Sequence, residues 1–243
     1  MSVPQSGRLD SKSPLLSSSP EDPKESLSDS KKTKTKFDRK RKTKAPCPIC
    51  FLNTDLCICS LIPKLNLKTK VVLVVHTKEL KRTTNTGRLA IHSLVNSEMR
   101  IRGLSHDALD LSELLTDEYQ TYLFYPSDDA VELNQDLISQ SNKPVQLIVP
   151  DGNWRQASKV HYRHAELKNV QRVMITEKNT STLHMRTEIK DEGMATLQAI
   201  AFALGITENQ AVKDQLLKVY EAKLKRTLFG RGQLKAEDIK ITE

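Results

Sequence analysis

Apolar residues along this chain fall into two alternating rhythms. Residues 70–75 (KVVLVV), 122–125 (YLFY), 145–149 (VQLIV) and 172–175 (RVMI) are short, nearly continuous runs rich in β-branched and aromatic side chains. Such runs suit strands buried on both faces. Between and after them, apolar residues recur at helical spacing. Residues 86–97 carry Leu89, Ile91, Leu94 and Val95 in that pattern, and residues 155–167 read as a second helix. Residues 192–204 (EGMATLQAIAFAL) form a third, expected to close on Gly205 as its C-terminal cap, and residues 207–228 a long charged amphipathic one. Strands alternating with helices predict an α/β fold with a mostly parallel sheet covered on both sides. The chain has no internal repeat.

Two strand ends hold the candidate chemistry. The run at 145–149 is expected to stop at Pro150-Asp151-Gly152-Asn153-Trp154, which contains the single tryptophan and opens a helix. The run at 122–125 ends at Tyr125-Pro126-Ser127-Asp128-Asp129. If these strands are parallel neighbours, the turns lie side by side at the carboxyl edge of the sheet, where open α/β folds hold ligands. Asp151 is then the best candidate for general acid–base work; the blander alternative is a helix-capping Asp beside a core Trp. Asp128 and Asp129 are expected to cap the following helix. The segment Arg82-Thr-Thr-Asn85-Thr-Gly-Arg88 follows the first strand and opens a helix, an arrangement that favours an anion.

Neither GxxxxGK[ST] nor GxGxxG occurs, which argues against a nucleotide triphosphatase and a dinucleotide enzyme. No serine stands in a GxSxG elbow. His76, His161, His164 and His184 show no metal-ligand spacing beside carboxylates and are expected at the surface or in packing.

Charge changes the picture at the N-terminus. The chain carries +8, and residues 31–44 hold nine Lys or Arg against the single Asp38, so the remainder is formally neutral. Following a Ser/Pro-rich opening, residues 1–44 are expected to be a disordered basic arm. Contact with a phosphate backbone is favoured over a solubilising tail or a targeting signal. No apolar run is long enough to span a membrane, and no secretory hydrophobic region is present, so a cytoplasmic, reducing setting is expected.

All four cysteines then crowd into Cys47-Pro-Ile-Cys50 and Cys57-Ile-Cys59. Four thiolates at that spacing suit one tetrahedral zinc ion with no open position, a structural site that folds a short segment. Two small disulfides would suit a secreted protein, and a redox CxxC would suit a helix rather than this Pro-rich loop. The expected organisation is an arm (1–44), a four-cysteine zinc-binding segment (45–62) and a catalytic domain (63–243).

Taken together, the Cys47/Cys50/Cys57/Cys59 cluster, Arg82-Thr-Thr-Asn-Thr-Gly-Arg88, Tyr125-Pro-Ser127 and Asp151-Gly-Asn-Trp154 resemble the DTW-domain family, the tRNA-uridine aminocarboxypropyltransferases. These segments occur in the family's order across about residues 45–205. Two positions depart from its pattern: Asn153 replaces the threonine of Asp-x-Thr-Trp, and Gln198 stands where a carboxylate is expected. The resemblance implies a SPOUT-like knotted fold around S-adenosylmethionine. It also implies transfer of the 3-amino-3-carboxypropyl group to N3 of a tRNA uridine, with methylthioadenosine as by-product.

Within that reading Asp151 is the candidate base for the N3 proton. Pro126, Ser127, Pro150, Gly152, Asn153 and Trp154 would surround the donor, with Trp154 expected to pack rather than stack. Arg82, Asn85 and Arg88 would bind substrate, and the sequence leaves open whether the guanidinium groups meet the donor's carboxylate or tRNA phosphate. A methyltransferase of similar fold and a non-catalytic RNA-binding module are the alternatives. Deleting residues 1–44 is expected to weaken tRNA binding and flatten its salt dependence without unfolding the core. Equal salt slopes with and without the arm would refute this.

Overall fold

The run KVVLVV becomes β1 (Lys70–His76), and its alternation explains why it is apolar throughout. Val71, Leu73 and Val75 point into one core while Val72 and Val74 point into another on the opposite face. The computed structural model describes residues 46–104, 109–178, 183–185 and 193–239. The basic arm, Glu192 and residues 240–243 lie outside the described residues.

After β1 come α1 (Gly87–Ser93), β2 (Ser97–Arg102), β3 (Gln120–Phe124), the two-residue β4 (Val131–Glu132), α2 (Gln135–Ile138) and β5 (Val145–Asp151). Then follow α3 (Trp154–Ala157), α4 (Val160–Arg163), β6 (Arg172–Met174), α5 (Thr196–Thr207) and α6 (Gln210–Phe229). Among the described residues the strands form a six-stranded sheet in the order β2-β1-β5-β3-β6-β4, with every pair parallel. The α/β architecture with a parallel sheet is therefore as the sequence predicts. β5 sits between β1 and β3 and divides its side chains as β1 does: Val145, Leu147 and Val149 face the first core, Ile148 the second. The first core is closed by α1, α5 and α6, and also takes in Cys50, Leu52 and Ile58 from the cysteine segment. The second is closed by Ala157, Val160 and Leu167 with Leu111 and Leu114.

Several boundaries differ from the sequence reading. The helix expected over 86–97 ends at Ser93, Leu94 turns to extended backbone, and Val95 is exposed. The residues after it are β2, an edge strand whose SEMRIR sequence has no apolar alternation because the edge is partly solvated. β5 does not stop at Val149 but runs through Pro150 to Asp151. Proline is tolerated there because pairing with β3 ends at Ile148, while pairing with β1 continues to Asp151.

The helix expected over 155–167 breaks into α3, α4 and a 3-10 turn. Arg155, Lys159 and Arg163 at i,i+4 spacing repel one another along it. Gly205 lies inside α5, which runs on to Thr207, rather than at its cap; a Cβ there would lie 2.8 Å from Lys213 Cδ of the packed α6, so the glycine serves close helix packing. No helix among the described residues is long and apolar enough to cross a membrane.

Candidate active site

Asp151 is the last residue of β5 and is buried. Asn85, in the loop between β1 and α1, donates Nδ2–H to Asp151 Oδ2 at 2.5 Å. Thr196, the first residue of α5, donates its hydroxyl to Asp151 Oδ1 at 2.6 Å. One carboxylate thus ties together three segments that are far apart in the chain. The loop and helix are also joined directly, since the Leu197 amide donates to Thr86 Oγ1. Asn85 Oδ1 in turn accepts from the Arg88 amide and fixes the turn into α1. Gly87 permits a close approach: a Cβ there would lie 3.1 Å from Asp151 Oδ2 and 3.0 Å from a Leu73 methyl, tight enough that these neighbours would have to shift. The carboxylate faces the N-terminal end of the 12-residue α5, where the helix dipole favours negative charge.

The neighbouring turn lies where the sequence places it. β3 pairs in parallel with β5, so Pro126 and Ser127 follow the strand beside Pro150 and Asp151. Tyr125 meets Trp154 edge to face, with centroids 6.0 Å apart. Trp154, expected to pack, is 41% exposed and presents much of its ring to solvent. Asp128 and Asp129 do not cap the next helix. Asn134 caps α2, whereas Asp129 accepts from Ser127 Oγ and pairs with Arg172.

The cysteines form a second centre. All four sulfur atoms lie within 4.8 Å of one another, with Cys47 and Cys59 Sγ 3.4 Å apart and Cys50 and Cys57 Sγ 3.8 Å apart. Ligand sulfurs about 2.3 Å from a tetrahedral zinc stand about 3.8 Å from each other, so the set fits such an ion. Burial raises the thiol pKa of Cys50 and Cys59. At Cys47 burial also acts upward, but hydrogen bonds from the Cys50 and Ile49 backbone outweigh it and bring the thiol to about 6. Phe51, held at φ 57°, puts its ring 3.7 Å from the Arg88 guanidinium. From α6, the fully buried Lys223 donates to the Cys50 carbonyl at 2.6 Å and Arg226 to that of Cys57 at 2.5 Å. Burial lowers Lys223 to about 8, and the nearby Cys50 thiol partly offsets that.

A model of the DTW domain matches residues 44–228, which contain the cysteine cluster, the Asp151 clamp and both helices behind it. The chain belongs to the DTW domain family. It is 22% identical over 187 residues to a Macaca fascicularis protein named tRNA-uridine aminocarboxypropyltransferase 2, covering 74% of this chain and 63% of that one. To the Mus musculus protein of the same name it is 24% identical over 183 residues, covering 72% and 61%. The Drosophila melanogaster namesake is 26% identical over 178 residues, 70% of each chain. The match therefore spans a little over three-fifths of the two mammalian relatives. No solved structure matches the chain.

The DTW signature acquires a physical meaning here. Asn153 Oδ1 accepts from the Gln156 amide at 2.9 Å, and Gln156 Oε1 accepts from the Asn153 amide at 2.9 Å, a complete capping box at the start of α3. Threonine and asparagine are both N-cap residues, so the departure from Asp-x-Thr-Trp keeps the cap. Gly152 lets Gln156 fold back, since a Cβ there would lie 2.8 Å from Gln156 Cβ.

Of the three loop residues expected at the substrate, only Asn85 reaches Asp151. Arg88 lies on Phe51, its Nε and Nη1 buried without a hydrogen-bond partner, and Arg82 pairs with the buried Glu79 at 3.0 Å. Sequence reasoning missed Thr196 as a site residue. Its hydroxyl at the start of a predicted helix was the available signal, but nothing local points 45 residues back to Asp151. Asn153→Thr is expected to leave unfolding free energy within about 0.5 kcal/mol, whereas Asn153→Ala should cost about 1 kcal/mol. Equal urea midpoints for the two variants would show that the cap contributes nothing.

Proposed function

We propose that this chain transfers the 3-amino-3-carboxypropyl group of S-adenosylmethionine to N3 of a uridine in tRNA, forming acp3U. The observation that carries the reading is the convergence of three DTW segments on one buried carboxylate at the carboxyl edge of a parallel sheet. The names of the similar proteins support the reaction class. A nucleocytoplasmic setting follows from the same reading, as does a SPOUT-like knot. β5 enters between β1 and β3, and β6 between β3 and β4, which is the kind of late strand insertion a knotted sheet needs.

The reaction joins uridine N3 to the donor's terminal arm carbon while that carbon's bond to sulfur breaks. The N3 proton must leave, and methylthioadenosine departs with the bonding electrons. The sulfonium activates its own departure, so the protein's tasks are orientation and proton removal. Asp151 takes the N3 proton. Asn85 and Thr196 hold its carboxylate in one rotamer, and each oxygen has more than one acceptor site. Pro126, Ser127, Pro150 and Gly152 offer backbone to the adenosine, and Trp154, Tyr125 and Asn153 border them. Asn85, Arg82 and Arg88 line the loop that approaches the substrate from β1; the last two do so through their partners Glu79 and Phe51. Cys47, Cys50, Cys57 and Cys59 would hold a structural zinc, which supplies charge neutralisation for four thiolates and folds the segment under Arg88 and α6.

Carboxyl-labelled S-adenosylmethionine is expected to label unmodified tRNA, and methyl-labelled donor to yield labelled methylthioadenosine. Methyl label in the RNA would overturn the assignment. Asp151→Asn should reduce transfer at least about 100-fold, whereas Thr196→Val, which loosens the clamp but keeps the carboxylate, should mainly lower the melting temperature. Equal activity of Asp151→Asn and wild type would remove the base. Metal analysis should return one zinc per chain, lost in Cys50→Ser; a metal-free, fully folded wild type would contradict the zinc site.

A further inference from the structure

Directly beyond the clamp, residues 152–165 read G-N-W-R-Q-A-S-K-V-H-Y-R-H-A, with Arg155, Lys159 and Arg163 and no Asp or Glu. Ala157, Val160 and His164 are buried and fix the segment against the second core face. Its outer side shows Arg155 and Arg163, Trp154 at 41% exposure and Tyr162 at 79%. Like charges one turn apart oppose helix formation, and no acidic residue within the segment relieves them.

Two strand ends border this positive segment. Arg102, at the end of β2 and 6% exposed, donates Nη1–H to the Gln156 carbonyl at 2.6 Å. Burial and then the charge of Arg163 press its pKa down. His76, at the end of β1, is lowered by burial, then by Arg102, Lys78 and Arg163, with Glu79 opposing. Arg102 from β2 and the cations of α3–α4 therefore share one region near the end of β5, beside a neutral His76, and a largely exposed aromatic ring stands among them.

We propose that the α3–α4 surface is the RNA-docking face. Arg155, Lys159 and Arg163 take backbone phosphates, and Tyr162 stacks on an unpaired base, so that the acceptor is presented from a loop rather than a stem. Cations interleaved with an exposed aromatic ring suit single-stranded nucleic acid, where bases offer their faces to stacking and phosphates follow the charges. This rests on the tRNA reading above and specifies how that substrate is held.

The test uses the full chain, an unmodified tRNA transcript and a perfectly paired RNA duplex of similar length. A triple variant, Arg155→Ala with Lys159→Ala and Arg163→Ala, is expected to bind the transcript at least about tenfold more weakly and to lower the log–log salt slope by about 2–3. Tyr162→Ala should weaken transcript binding by about 5- to 100-fold while leaving duplex binding unchanged. S-adenosylmethionine affinity should stay at wild-type values in both, and neither melting temperature should fall, which separates docking from folding. Transcript binding within twofold of wild type, or loss of affinity for anionic vesicles in place of RNA, overturns the docking face. If wild type labels tRNA while the variants do so equally, the face falls and the transferase stands. If wild type binds the transcript through this face but transfers no carboxyl label, the face stands and the transferase falls.

Discussion

The structure depends on a buried carboxylate that is not allowed to stand alone. Removing Asp151 from water is costly, and a hydrogen bond to such a charged group is worth about 1.5–3 kcal/mol. That cost is met by Asn85 from the β1–α1 loop and Thr196 from the start of α5. The same bonds dictate geometry. They bring the helix N-terminus to the end of the strand, leave little room for a side chain at position 87, and leave the Pro150–Asp151 strand end beside the Tyr125–Ser127 turn. A group whose rotamer is held from two sides needs little reorganisation to act on a bound substrate.

The cysteine segment is coupled to this centre through cations as well as through the first core. Arg88 starts in the first turn of α1, just after the loop that carries Asn85, and ends on Phe51, while Lys223 and Arg226 reach from α6 to the Cys50 and Cys57 carbonyls. Lys223 and Arg226 thus meet carbonyls of the cysteine loop and Arg88 an aromatic ring beside it, next to four thiols that could hold a metal ion. The cluster thereby locks α6 and the loop entering α1 into one relative position.

How much of this was legible varied with the strength of each local signal. β1 and β5 were, because both faces of a central parallel strand are buried and the sequence has no freedom to be polar there. The edge strand β2 was not: SEMRIR is half-solvated, and nothing in it opposes reading the preceding helix too far. The helix over 155–167 failed for a related reason, since its like charges break it into single turns while leaving Ala157 and Val160 in the core. Asp151, the Pro126–Ser127 turn and the four cysteines were visible as strand-end and ligand patterns. Thr196 was not, because a hydroxyl at a helix start has many local uses and its partner is set by packing.

What the sequence determined by itself was periodicity and chemical inventory: alternating strands and helices, four thiols at metal-binding spacing, and a carboxylate after a buried run. Those are local properties, governed by which side chains repeat at which interval. The tertiary structure decided which of the polar residues meet. It took Arg82 and Arg88 to Glu79 and Phe51, brought Asn85 and Thr196 to Asp151, turned Asn153 into a helix cap and left Trp154 and Tyr162 facing outward. The Asn85, Thr196 and Asn153 contacts follow from the need to pair polar groups in three dimensions, a requirement that no interval along the chain encodes.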